Sequence, residues 1–332
     1  MRYGRTMGWM LGCVLAAAGI ANGADGKAAF TDAKDAGPDF VVQGEYAGVD
    51  TEGHKWGCQV IALGDGKFDV VGYPGGLPGD GWKRGDETKK GKGELKDGVT
   101  TINGDGWSAT IKDGTLAVEH DGKKVAELKK AERKSPTLGA KAPSGATVLF
   151  DGTSVDAFKN GKFVEGKFDG KDEKQLGATN CETNAKWQDH TLHVEFRTPF
   201  MPGSRGQGRG NSGVYMQCRY ELQVLDSFGL DGKNNECGGI YTIAEPKVNM
   251  CLPPLAWQTY DIDFTAARYE DGKKVKNARV TIKHNGVTIH DDLELPKGTP
   301  GKSNEGPDAL GLFLQDHGNP VAFRNIWVVE KK

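Results

Sequence analysis

From Phe40 to about Lys130, apolar and polar residues follow one another in short alternating runs broken by turn dipeptides. Trp56 to Leu63, Lys67 to Tyr73, Val99 to Asn103, Ser108 to Ile111 and Thr115 to Glu119 read as strands, because alternation places every second side chain on one face. Gly64-Asp65-Gly66, Asp97-Gly98, Asp105-Gly106, Asp113-Gly114 and Asp121-Gly122 separate them. Asp-Gly between alternating runs supplies the positive φ angles of a tight hairpin, so the segment predicts an antiparallel meander that can close into a small barrel. Gly75 to Gly93 reads as a long charged loop, and Ala126 to Lys134 as two turns of helix. Ser135-Pro136 through Gly145 carries no periodicity and reads as a linker.

A second β pattern begins at Thr147 and runs to the end of the chain. Thr191 to Arg197, Gly213 to Met216, Tyr220 to Leu225, Thr259 to Phe264, Ala278 to Lys283, Val287 to His290, Leu310 to Gln315 and Phe323 to Val329 are its strands. His284-Asn285-Gly286-Val287 predicts a type I′ hairpin. The expected fold class is all-β: a small antiparallel domain over 38–132, a linker over 133–145 and a jelly-roll sandwich over 146–330.

Composition narrows the function. The 43 Lys+Arg against 45 Asp+Glu give a net charge of −2, which provides no basic field to hold nucleic acid or an anionic membrane. Glycine, at 49 of 332 residues, is about twice as frequent as usual and marks turns between strands. Arg2 and Arg5, the apolar run Met7 to Ile20 and the small residues Ala21-Asn22-Gly23 have the order of an export signal, with cleavage expected before Ala24. The run is too short to span a bilayer, so a periplasmic or extracellular protein without a transmembrane segment is expected. Leu11-Gly12-Cys13 offers the alternative of a lipoprotein, disfavoured because the apolar run continues past Cys13. Cleavage leaves five cysteines; Cys237 and Cys251 flank a Gly-, Pro- and Asn-rich loop and are expected to form a disulfide. Asp231 to Glu236 groups oxygen ligands without the spacing of an EF-hand, so a solvated turn is expected there, with a divalent metal ion left open as a cofactor. No phosphate loop or dinucleotide fingerprint is present.

Three ordered tracts carry a resemblance. Gly210-Asn211-Ser212-Gly213-Val214-Tyr215, Tyr220-Glu221-Leu222-Gln223-Val224-Leu225-Asp226, and Leu314-Gln315-Asp316-His317-Gly318-Asn319-Pro320 continuing to Ile326 resemble the 3-keto-disaccharide hydrolase family, also described as 3-keto-α-glucoside 1,2-lyase/3-keto-2-hydroxy-glucal hydratase. The resemblance spans roughly residues 146–330 and implies a concanavalin-like jelly roll acting on glycosides oxidised at C3. A C3 ketone acidifies the C2 proton, so such a site needs a base, a proton donor for the leaving oxygen and a group that stabilises the developing enolate.

Strand parity names candidates for these parts. Glu221 and Gln223 share one face of their strand, and Phe313, Gln315 and His317 share a face of theirs. Glu221 is the expected base and His317 the expected acid, with Arg324, flanked by apolar residues, either a buried carboxylate partner or an oxyanion contact close to Glu221. Asn211, Gln223, Gln315 and Trp257 are expected to contact a glycoside substrate. The competing reading is a non-catalytic, lectin-like binding module, since fold alone does not establish activity.

Overall fold

The computed structural model describes residues 20–23, 27–168 and 170–331. The expected export signal lies, as far as residue 19, outside the described residues; Ile20–Asn22 pairs antiparallel with Ala28–Phe30. No helix among the described residues is long and apolar enough to cross a membrane.

The first half is a closed, wholly antiparallel eight-stranded barrel. In spatial order its strands are Ser108–Lys112, Thr115–His120, Lys123–Ala131, Gly44–Asp50, Lys55–Gly64, Lys67–Pro74, Lys89–Lys96 and Val99–Gly104. The Asp-Gly turns do what their chemistry permits: in Asp97-Gly98, Asp113-Gly114 and Asp121-Gly122 both residues have positive φ. Lys123–Ala131 is a strand and not the helix that Ala126 to Lys134 suggested. It bonds to Thr115–His120 on one side and Gly44–Asp50 on the other, and closing the barrel overrides the helical propensity of its Lys, Glu and Leu residues. The expected loop Gly75 to Gly93 likewise gives way at Lys89 to a strand whose alternate positions include Gly91 and Gly93, so no apolar alternation announces it.

The second half is a sandwich of two antiparallel sheets. The larger runs Phe163–Phe168, Lys171–Gly177, Ala322–Glu330, His190–Arg197, Gln258–Thr265, Ala278–His284, Val287–Leu295, with Thr147–Phe150 also bonded to Ala322–Glu330. The smaller runs Phe158–Lys159, Cys181–Thr183, Phe313–Leu314, Ser212–Met216, Tyr220–Val224. Asn285 and Gly286 both take positive φ in the hairpin between Ala278–His284 and Val287–Leu295. Val194, Phe196, Tyr260, Ile262, Ile282 and Phe323 of the larger sheet meet Val214, Leu222, Val224 and Leu314 of the smaller in one buried core.

The two halves exchange side chains. Phe200, from the sandwich, is fully buried in the apolar cluster of the barrel, with its ring 5.3 Å from that of Phe40 and 6.0 Å from that of Phe30. Ile61, from the barrel, belongs to the core of the sandwich. Polar contacts reinforce this: Arg84 forms an ion pair with Glu245 at 3.0 Å and donates to the Asp231 carbonyl at 2.8 Å.

Candidate functional site

Ser212–Met216 and Tyr220–Val224 form a hairpin in which Tyr215 faces Glu221 and Gly213 faces Gln223. Val214, Met216, Tyr220, Leu222 and Val224 point into the core. The intervening residues, Gly213, Tyr215, Glu221 and Gln223, therefore share the outer face of the smaller sheet. The three-residue turn between the strands, Gln217-Cys218-Arg219, holds Gln217 and Cys218 at positive φ, a conformation unusual for such side chains. Their side chains hold it in place, with Gln217 Nε2 donating to the Trp187 carbonyl at 2.8 Å and Cys218 Sγ to the Gly311 carbonyl at 3.4 Å.

Glu221 is 3% exposed, and burial pushes its carboxyl from the ordinary 4.5 up to about 7; the Tyr215 hydroxyl, which donates to it, partly opposes the rise. Gly213 makes room for this carboxylate, because a Cβ at 213 would lie 2.5 Å from Glu221 Oε1 and 2.8 Å from Tyr215 Cε2. The Glu221 backbone N–H donates to Thr299 Oγ1 at 2.9 Å, and Gln315 Nε2 donates to Tyr215 Oη at 3.1 Å. Gln315, Tyr215 and Glu221 thus form a directed chain of donors ending on the carboxylate. Phe313 meets the Tyr215 ring edge-on at 5.3 Å; Lys302 Nζ lies 4.8 Å from the Phe313 ring centroid and 3.3 Å from a Glu182 oxygen.

Beyond Gln223 lies a buried group of amides. Gln223 Nε2 donates to Gln207 Oε1 at 3.3 Å, while Asn211 Nδ2 donates to the Gln207 carbonyl at 2.9 Å. That leaves Asn211 Oδ1 and Gln223 Oε1 buried with no donor among the described residues. Unpaired acceptors at this depth are costly, and hydroxyl groups are the donors that would relieve them.

The residues singled out from sequence divide among three places. Glu221, Gln223, Gln315 and Asn211 come together as described. His317 is exposed at the tip of a turn in which Asp316 Oδ1 accepts from the Gly318 N–H at 2.8 Å, and it makes no hydrogen bond or ion pair among the described residues. Arg324 is not close to Glu221. It points away from the core on the larger sheet, next to core residue Phe323, where its guanidinium pairs with Glu195 at 2.6 Å and Glu173 at 2.9 Å. Trp257 accompanies it there, its ring 5.1 Å from the guanidinium carbons of both Arg197 and Arg324. On that face a second polar chain runs from Asp261 through His193, at 2.6 Å, to Glu195.

The expected Cys237–Cys251 disulfide is absent: both cysteines are buried side by side as free thiols. Cys237 Sγ lies 3.2 Å from Tyr260 Oη, and Cys251 Sγ donates to the Leu225 carbonyl at 3.5 Å. The loop they flank has other means of order, since Asn249 Nδ2 donates to the Ser227 and Leu230 carbonyls at 2.8 and 2.9 Å. In the Asp231 to Glu236 segment the Glu236 carboxylate accepts from the Gly232 and Lys233 N–H groups, and the described residues hold no cluster of three metal-ligating side chains. Sequence reasoning missed Tyr215 and Gln207. Tyr215 was legible, because antiparallel pairing across a three-residue turn sets it opposite Glu221; Gln207 lies in a glycine-rich stretch with no period to place it.

A protein from Parabacteroides distasonis ATCC 8503 whose crystal structure carries the description "putative glycosyl hydrolase" is 31% identical, with a TM-score of 0.50 over 57% of this chain and 85% of that one. Another protein so described from the same organism is 18% identical, with a TM-score of 0.39 over 57% of this chain and 95% of that one. No functionally curated protein matches the chain. The profile of the 3-keto-alpha-glucoside-1,2-lyase-like domain matches residues 145–329, which is the whole sandwich and more than half of the sequence, and the chain belongs to that family.

Proposed function

We propose that this chain is an exported enzyme that cleaves 3-keto-glycosides by elimination across C1 and C2 followed by hydration. Family membership supports the broader class, a carbohydrate-active enzyme. The observation that carries the finer reading is Glu221: a buried carboxylate poised near pH 7, on the face that also presents two unpaired amide acceptors. A general base works best when its pKa lies near the working pH, and desolvation supplies that here.

In this reading the substrate hydroxyls donate to Asn211 Oδ1 and Gln223 Oε1 and so fix the sugar. Glu221 takes the C2 proton, whose electron pair forms the C1–C2 double bond as the C1–oxygen bond breaks. His317, two residues beyond Gln315, gives its proton to the leaving oxygen. Water then adds across the double bond, its hydroxyl to C1 and a proton to C2, so that the sum is hydrolysis. Tyr215, held by Gln315, orients the Glu221 carboxylate and keeps its pKa from rising further.

The test is turnover. Incubation with 3-keto-trehalose or an alkyl 3-keto-glucoside should give transient enone absorbance and free 3-keto-glucose. Glu221→Gln should bind the substrate yet turn it over about 10²–10⁴ times more slowly. His317→Asn should be slowed most on alkyl glycosides and least on a nitrophenyl glycoside, whose leaving group needs little protonation. Saturable binding of a 3-keto-glucoside with no product would replace this reading with the lectin-like one.

A further inference from the structure

The barrel is closed by Phe200 and Phe40 at one end and is open at the other. An eight-stranded barrel has an interior that side chains just fill, or that holds one small ligand when they do not. Here the open end holds a cavity of about 290 Å³, with walls from Trp56, Trp107, Leu116, Val118 and Leu128. Small residues create the space. The Trp107 indole lies over Gly91 and Gly104, where a Cβ would come within 2.9 and 2.0 Å of its ring. Gly72, in the strand that buries Phe68 and Val70 at alternate positions, also opens onto the cavity.

Polar groups sit only at the rim: Asp50, Lys89, Asp105 and His120. Three of these are already engaged, Lys89 through an ion pair with Glu87 at 2.5 Å. Asp50 accepts from Trp56 Nε1 at 3.1 Å and from the Glu52 and His54 N–H groups at 3.0 and 2.8 Å, and His120 Nδ1 lies 2.6 Å from the Gly106 carbonyl. The Trp107 indole N–H makes no hydrogen bond among the described residues. A sugar lowered into this cavity would leave ring hydroxyls against leucine, valine and indole carbon, at a desolvation cost for each. A flat hydrocarbon ring would instead gain aromatic contacts with the two indoles and keep a single polar atom at the rim.

We propose that the open end of the barrel is a binding site for a small uncharged aryl group of phenol to naphthol size, its ring against Trp107 and Trp56 and its hydroxyl at the rim. The volume lies at the lower end of the range for small-molecule pockets, which matches one or two fused rings. The site shares no residue with the Glu221 face and stands independently of the activity proposed there.

Calorimetric titration of the full chain with 2-naphthol tests this, with methyl β-glucoside as the sugar arm. Saturable binding of one naphthol per chain is expected, and none of the glucoside. Trp107→Ala should weaken naphthol binding about threefold to tenfold through loss of one ring contact. Val118→Trp, which places an indole inside the cavity, should abolish it; if that variant loses its far-ultraviolet dichroism, Trp107→Ala decides alone. Glu221→Gln should bind naphthol as the parent does. Absence of naphthol binding, undiminished binding in folded Trp107→Ala, loss of binding in Glu221→Gln, or glucoside binding at this site would each overturn the assignment.

Discussion

Replacing Glu221 by Gln tests the electrostatics of the site without substrate. The unfolded chain ionises this carboxyl near 4.5, whereas the folded chain holds it protonated up to about 7. Between those values unfolding releases a proton, so the wild-type protein loses stability as pH rises through the window and levels off above it. At 1.36 kcal/mol per pH unit the plateau is about 3 kcal/mol, and about 2.5 kcal/mol of it develops between pH 5 and pH 8. Glutamine keeps the shape and accepts from Tyr215 but does not titrate. Urea unfolding of both proteins at pH 5 and pH 8 should show the variant gaining about 2.5 kcal/mol on the wild type over that interval, and it should be the more stable at pH 8. A stability difference that stays constant between the two pH values would refute the buried, proton-holding state on which the catalytic reading rests. The variant that is most stable would also be the one that turns over least, the compromise expected of a site that holds a desolvated base.

Tyr215→Phe removes the donor that restrains the Glu221 pKa, so the acid limb of a pH–rate profile should move above pH 7, the direction opposite to a loss of burial. Gly213→Ala drives a Cβ onto Glu221 Oε1; a 3-keto-glucoside assay should show a loss of at least about tenfold, with a cost of about 1–3 kcal/mol in unfolding. Arg324→Met strands Glu195 and Glu173 on the other sheet and should destabilise the fold by about 3–5 kcal/mol in a denaturant titration, while the folded fraction keeps its activity. Thiol titration should find Cys58, Cys181, Cys218, Cys237 and Cys251 unreactive in the native chain and all five free after unfolding, whereas a count of three would restore the disulfide.

Strands with apolar alternation were legible in the sequence, and so were turns whose Asp-Gly or Asn-Gly pairs demand positive φ. Lys89–Lys96 was not, because glycine at its inward positions removes the period that marks a strand. Lys123–Ala131 reads locally as helix, and only its two barrel neighbours make it extended. Parity placed Glu221, Gln223 and Gln315 on one face correctly. It failed for Arg324 because parity says which way a side chain points within its own sheet and nothing about which of two sheets that is. Asn325, at positive φ, also shifts the register between His193 and Glu195 beside it. The disulfide expectation rested on a loop thought to lack other order, whereas hydrogen bonds donated by Asn249 and accepted by Glu236, which no local pattern reveals, already order it.

Phe200 and Ile61 bear on how this architecture could have been assembled and can be taken apart. Each half completes the other's interior, so neither is a cassette. A barrel cut free at the linker would present an open apolar end where Phe200 had been, and a sandwich cut free would expose the pocket that Ile61 fills. Phe200 lies on the loop between His190–Arg197 and Ser212–Met216, and that loop is what plugs the barrel. Grafting this barrel onto another scaffold would require transplanting that loop with it.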